Sequence, residues 1–343
     1  MLQSVAQHPL RGRRSDPLVQ QRNSIASRAL ARREGPAGHR TVRRWCVGAL
    51  VIGVLVAVAA SAAAEAGDAE LSTSEALVLG MIEGVTEYLP VSSTAHLAIT
   101  EVLLGLTSTP EGKTAADSYA IVIQVGAIAA VLGLYRRRVV TLARGVLGFD
   151  RAGRRLALAI LTAFVPAAVV GLVAGDAIKN NLFSTWPILA AWVVGGLALL
   201  WPRLTTTSAT RPLEELSIGA AAIIGAAQVL ALWPGTSRSL ITIIAALAVG
   251  MGLPAAVEFS FLLGLVTLSA ATGYELLSGG DAITATFGWR SSIVGVAAAA
   301  VTAWLAVTWM VAYLQRRPLS IFGWYRISIA CVVAVVALAT TQL

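Results

Sequence analysis

From Leu71 to Leu106 the chain is apolar enough and long enough to cross a bilayer. Yet Pro90 sits in the middle of this run, with Glu83, Glu87, Ser92, Ser93, Thr94 and His96 around it. The residue before a proline is pushed out of helical geometry, so the run divides into two half-helices that are each too short to cross alone. An ionisable side chain at the bilayer centre costs about 2.5 to 3.5 kcal/mol, and several together call for a functional explanation. A second run, 217–251, is broken in the same way by Pro234 and Gly235, and it carries Thr236, Ser237, Arg238 and Ser239 just beyond the break. Aligned at their prolines, the segments pair Ser92 with Thr236 and Ser93 with Ser237. Glu83, Glu87 and His96 then have no ionisable counterpart in the second segment, and Arg238 has none in the first. The pattern implies a duplicated scaffold with divided chemistry.

The surrounding chain supplies the membrane part of the fold. With 57% apolar and 13% charged residues over 343 positions, an all-α polytopic membrane protein is expected. The net charge of +8 is not a nucleic-acid signal, because residues 1–45 hold ten Arg against Asp16 and Glu34 and the rest of the chain is balanced. That basic stretch has few large apolar residues and reads as a disordered cytoplasmic arm. Residues 46–64 read as an extra transmembrane helix, or as a signal-like segment because of their Ala-Ser-Ala-Ala-Ala end. Residues 71–343 form the membrane domain proper. Cys46 and Cys331 lie in separate apolar segments and read as small apolar residues.

Within that domain, spans are expected at 118–135, 156–175, 182–201, 257–277, 291–314 and 321–338. Segments 107–117, 176–181 and 279–290 are the outer connections. Segment 136–155 carries seven Arg against Asp150, and the positive-inside rule assigns it to the cytoplasm together with 202–216. This count requires hairpin 71–106 to enter from outside and hairpin 217–251 to enter from inside. The expected fold is therefore an inverted-topology repeat with two re-entrant broken-helix hairpins meeting near the midplane.

At each break the proline precedes hydroxyl residues and then a helix, an N-cap signal carried by Ser92 or Ser93 and by Thr236 or Ser237. Two helix N-termini would aim N–H groups at one space and favour an anion, for which Arg238 adds a planar cationic fork. Glu83 and Glu87, four residues apart on one helix face, suit a divalent cation, Mg²⁺ or Ca²⁺, shared with phosphate oxygens. His96 follows Ser93 by three residues, so the two can act as base and nucleophile, or His96 can itself take a phosphoryl group. The plainer alternatives are a structural histidine, hydroxyls that only cap helices, and a glutamate pair that carries protons or cations in a transporter. Glu101, Glu258 and Glu275 are weaker candidates, and Glu258 at the start of a span can simply pair with an arginine.

The stretch Glu83-Gly-Val-Thr-Glu87-Tyr-Leu-Pro-Val-Ser-Ser-Thr-Ala-His96 and the stretch Pro234-Gly-Thr-Ser-Arg238-Ser resemble the two motifs of the undecaprenyl-diphosphate phosphatase family of the bacitracin-resistance type. The resemblance covers about residues 74–340. It implies an integral membrane hydrolase of the bacterial cell membrane that converts undecaprenyl diphosphate to undecaprenyl phosphate and inorganic phosphate. Such an enzyme recycles the lipid carrier of peptidoglycan synthesis and confers bacitracin resistance. The resemblance also implies a divalent cation and a site open to the outer face. By position, Glu83 and Glu87 would be the acidic, metal-binding pair, Ser93 and His96 the nucleophile and base candidates, and Arg238 the phosphate clamp. Ser92, Thr94, Thr236, Ser237 and Ser239 would line the phosphate. Whether Ser93, His96 or water attacks is left open, as is a homodimer. Ala95 and Leu240 stand where the family usually has glycine. The rival reading is a transporter, for instance of a lipid phosphate, built on the same repeat.

Overall fold

We describe residues 71–205, 209–286 and 289–339 of a computed structural model of the chain. The expected basic arm 1–45 and the extra helix 46–64 lie outside the described residues. Every regular element among those described is helical, apart from an isolated bridge between Arg211 and Met251. Helix α1 (Thr73–Thr86) starts in a capping box made by Ser72 and Glu75 and leads to the break at Pro90. Helix α2 (Ser93–Leu103) follows it. At 14 and 11 residues, these two are about 21 and 16 Å long, short of a hydrocarbon core of about 30 Å. Next come α3 (Pro110–Leu134), α4 (Arg136–Val146), α5 (Arg151–Leu182), α6 (Thr185–Leu200) and the single turn α7 (Pro202–Thr205). The second broken run forms α8 (Ile218–Gln228) and α9 (Arg238–Ala248), and α10 (Leu253–Thr286), α11 (Trp289–Leu314) and α12 (Ser320–Ala339) complete the chain. Five helices, α3, α5, α10, α11 and α12, are long and apolar enough to cross a membrane.

Several expected connections are helical. Segment 107–117 already turns into α3 at Pro110, where the Thr109 hydroxyl accepts from the Gly112 N–H. The arginine-rich 136–155 is α4 and the first turn of α5, the latter capped by Asp150 on the N–H groups of Ala152 and Gly153. The turn expected at 176–181 is absorbed into α5, so the span expected at 182–201 begins late and has 16 residues. The outer connection expected from 279 continues α10 to Thr286. The common cause is that charge and glycine mark where a segment meets water. A helix satisfies its own backbone and can continue there regardless.

The two halves repeat each other. Ser72 and Ser217 cap α1 and α8; Ser92 and Ser237 precede α2 and α9; and Gly105 and Gly250 follow those helices with φ of 73° and 89°. Each pair is separated by the same number of positions. This register differs by one residue from the alignment on the prolines: Ser92 matches Ser237, Ser93 matches Arg238, and Pro90 matches Gly235. The correction arises because the strained residue before the helix, with φ of 74° at Ser92 and 75° at Ser237, defines equivalence, whereas the two prolines occupy successive places in the tip. The same register pairs Glu83 with Gln228.

Packing is exchanged between the halves. Helix α1 packs on α11 and α8 on α5; α3 also packs on α11 and α10 on α5, while α6 meets α12. Close approach is built in, because a β-carbon on Gly80 would overlap the backbone of Gly295, and one on Gly225 would overlap that of Ala163. Each hairpin is thus held by a long helix of the other half. Among the longer helices described, α4 has no counterpart, since α10 leads almost directly into α11.

Candidate active site

The tips of the two broken runs touch. The carbonyl of Leu89 in the first accepts from Ser239 Oγ at 2.9 Å and from Ser237 Oγ at 3.5 Å in the second. Pro90 ends the helical ladder, so within its own segment this carbonyl accepts from the Val91 N–H at 2.7 Å and remains open to the opposite tip. Glu87, one turn after Glu83 at the C-terminal end of α1, stands at this junction. Its Oε2 accepts a short hydrogen bond from Ser93 Oγ, and its Oε1 accepts from Arg238 Nη2 at 2.9 Å. Both oxygens of one carboxylate are therefore taken, one by a hydroxyl and one by a guanidinium from the opposite tip.

Arg238 is held from three sides. Its Nη1 donates to the Ser260 carbonyl at 3.1 Å, its guanidinium carbon lies 5.3 Å from the centre of the Tyr88 ring, and its fork lies against Gly264, where a β-carbon would overlap it. Among the buried polar atoms at the junction that have no partner are Arg238 Nε, a donor, and Glu83 Oε1, an acceptor. The cost of leaving such groups unpaired is about 1 to 3 kcal/mol each, more if charged, and it is recovered when a ligand supplies the missing partner. One orphan suits an anionic oxygen and the other suits a cation.

His96 lies on the helix that Ser93 begins but does not bond to it. Its Nδ1 is 2.6 Å from the Ser92 carbonyl and its Nε2 is 2.7 Å from the Tyr325 hydroxyl. A carbonyl only accepts, so Nδ1 carries the proton, and a neutral ring then receives the Tyr325 O–H at Nε2. The imidazole also stacks on Tyr325 and packs on Trp192. Ser93 and His96 do not bond each other, and the carboxylate beside Ser93 Oγ is that of Glu87. The hydroxyls divide similarly. Ser237 caps Leu240 N and ties the tips with Ser239, Thr94 is exposed, and neither Thr236 nor Ser92 makes a side-chain hydrogen bond among the described residues. Glu258 pairs with Arg138 and Glu275 with Lys179, away from the junction, and Glu101 is buried at the far end of α2.

A family model described as Bacitracin resistance protein BacA matches residues 76–332. The chain belongs to the BacA family. Similar proteins include the undecaprenyl-diphosphatase of Sorangium cellulosum (strain So ce56), 43% identical over 265 residues that cover 76% of this chain and 84% of that protein. The undecaprenyl-diphosphatase of Methylococcus capsulatus is 41% identical over 75% of this chain and 92% of its own length. Undecaprenyl-diphosphatase 2 of Rhodospirillum rubrum is 41% identical over 77% and 94%.

This BacA-family chain contains a further residue that the sequence reading missed. Arg326 in α12 is fully buried and donates to the carbonyls of Pro90, Gly235, Ala191 and Trp192. Pro90 and Gly235 are equivalent positions of the two tips, so one guanidinium locks both. Gly195 of α6 makes room for it. The signal was present, since an arginine inside an apolar span asks for a partner within the protein. Ala95 and Leu240, the two departures from the usual glycines, occupy matched positions. Ala95 packs with Ile188, Leu189 and Trp192, and Leu240 joins the main core. A divalent cation fits the residues present to this extent: Glu83 offers a buried carboxylate oxygen without a partner, and Glu87, whose oxygens each accept one hydrogen bond from Ser93 or Arg238, keeps one further lone pair on each. Two carboxylates completed by substrate oxygens and water form a normal Mg²⁺ ligand set.

Proposed function

We propose that this chain hydrolyses undecaprenyl diphosphate to undecaprenyl phosphate and inorganic phosphate, which returns the lipid carrier to cell-wall synthesis and confers bacitracin resistance. The observation that carries the reading is the single carboxylate of Glu87 held between Ser93 Oγ and Arg238. Names borne by the BacA relatives support the enzyme over the transporter, for which no observation speaks.

In this mechanism Ser93 Oγ attacks the terminal phosphorus while Glu87 takes its proton. The bond from that phosphorus to the bridging oxygen breaks, and undecaprenyl phosphate leaves with the electron pair. Glu87 gives that proton up to the departing phosphate, then takes one from water as the water attacks the phosphoserine, and passes it to Ser93 Oγ as inorganic phosphate is released. Arg238 holds the phosphoryl oxygens with its fork and its free Nε. The N-terminus of α2, which has no side-chain cap, presents N–H groups to the same oxygens. A divalent cation held by Glu83 and Glu87 would supply charge neutralisation for the diphosphate. His96, fixed by Ser92 and Tyr325, orients the start of α2 and takes no proton.

We place this chemistry in residues 71–343, with hairpins 71–106 and 217–251 entering from opposite faces of the membrane and the site open to the outer face. The exchanged packing of the halves and the arginines of 136–155 support that orientation. The test uses purified protein in detergent with isoprenyl diphosphate and Mg²⁺ or Ca²⁺. Phosphate release is expected, with an acid-stable phosphoserine at Ser93 on rapid quench and loss of activity in chelator. An acid-labile adduct moves the attack to His96, and no adduct moves it to water. Absence of release, together with protein-dependent movement of the lipid across vesicles, overturns the enzyme reading.

A further inference from the structure

The halves differ most where the first inserts α4 between two long helices that the second joins almost directly. This insertion contributes nothing to the junction of the tips. Its inner side is anchored, because Arg138 bonds Glu258 at 2.6 Å and Glu214 at 2.8 Å, and Gly145 lies backbone to backbone against Gly153 of α5. That anchoring determines which side faces outward. On the outer side Val140 and Leu147 are 56% and 68% exposed, and Phe149 in the turn before α5 is 75% exposed. Positions 137, 140, 144 and 147 recur at helical spacing, so Arg137 and Arg144 flank the apolar pair. Arg151, Arg154 and Arg155 are exposed on the first turns of α5. Unlike Arg138, none of these five arginines forms an ion pair among the described residues. Of the acids nearby, Glu214 and Glu258 are taken by Arg138, and Asp150, the one acid within 136–155, caps α5.

Large apolar side chains flanked by uncompensated guanidinium groups on a short helix are the pattern of an interfacial element, in which the apolar face enters the acyl boundary and the cations meet phosphates. The location agrees. Helix α5 has 32 residues, about 48 Å, which exceeds a hydrocarbon core of about 30 Å and leaves its first turns and the attached α4 at headgroup level. We propose that α4 and the start of α5 form a binding surface for anionic phospholipid headgroups, with Val140, Leu147 and Phe149 in the acyl boundary. Charge complementarity selects this occupant, since α4 and the start of α5 present five arginines without an ion pair and carry one acid, the capping Asp150.

The test is native mass spectrometry of the full chain in detergent, titrated with phosphatidylglycerol or phosphatidylcholine of the same acyl length. Wild type binds phosphatidylglycerol more tightly. Arg137→Gln/Arg144→Gln/Arg151→Gln loses that preference, with affinity falling about fivefold per arginine, while the corresponding triple lysine variant keeps it. Because all chains share the arginines of 1–45, the arm's contribution cancels. Phosphate release in detergent stays unchanged in both variants, which shows that they are folded. Equal binding of the two lipids by wild type overturns the proposal, as does an unaltered preference in the glutamine variant. A variant that loses a dimer mass with no change in lipid preference also overturns it and assigns the face to a second copy.

Discussion

Ser92 and Ser237 hold the same left-handed backbone at the start of equivalent helices, yet only Ser237 turns its hydroxyl back to cap the helix it begins. A non-glycine residue at such φ costs about 1 to 3 kcal/mol and persists only where its surroundings over-determine it. Here the surroundings are the opposite tip, through the Leu89 carbonyl, and Arg326, which binds both tips. The second tip spends its hydroxyls on this assembly. The first leaves its helix N-terminus uncapped and places the Ser93 hydroxyl, bonded to Glu87, next in line. In the last turn of each hairpin's first helix the contrast recurs, since Glu83 and Gln228 are both 1% exposed with an unpartnered Oε1, but only the glutamate can carry charge. The same backbone geometry stands twice, and its side chains differ, with Glu83 and Ser93 on one side and Gln228 and Arg238 at the matched positions of the other.

The largest expected effect tests that division at the hydroxyls. Ser93→Ala and Glu87→Gln should each lower kcat about a thousandfold or more, as loss of a nucleophile or its base does. Ser239→Ala removes only a tie between the tips and should cost less than about tenfold. Steady-state phosphate release measures both, and equal losses would mean that the tips share the chemistry.

A smaller, crossed effect is expected at the matched carboxylate and amide. Glu83→Gln should reduce activity about a hundredfold and flatten its dependence on added Mg²⁺, while thermal stability holds or rises because an unpaired buried acid is gone. Gln228→Glu should do the reverse, with a lower thermal midpoint from burying a charge at a cost of about 2.5 to 3.5 kcal/mol. A metal-dependent rate that survives in Glu83→Gln would remove Glu83 from the cation site.

The smallest effect is expected at His96. His96→Gln keeps a hydrogen-bonding side chain, and Tyr325→Phe removes a single hydrogen bond worth about 1 kcal/mol. Each should change kcat less than about tenfold. A collapse of kcat at unchanged KM in His96→Gln would restore the histidine as base.

How much of this was legible can be judged residue by residue. Glu83, Glu87, Ser93 and Arg238 stood out because polar groups in an apolar run have no cheap structural reason to be there. The breaks at Pro90 and Pro234 were equally plain, since proline acts on its own backbone. For His96, spacing along a helix brings it near Ser93 but says nothing about its partner Tyr325, which arrives from α12. Arg326 went unnoticed for the same reason, as its four acceptors come from both tips and from α6.

The sequence by itself determined the class, a helical membrane protein with two interrupted runs bearing unlike halves of one polar set. Hydropathy, proline and charge act locally and survive without knowledge of neighbours. Only the tertiary structure decided the true register of the repeat, the exchange of hairpins between halves, and the choice of Glu87 over His96 as the partner of Ser93. Those depend on which carbonyl, ring or carboxylate lies within hydrogen-bond reach across the fold, and such distances are set by packing between segments far apart in the chain.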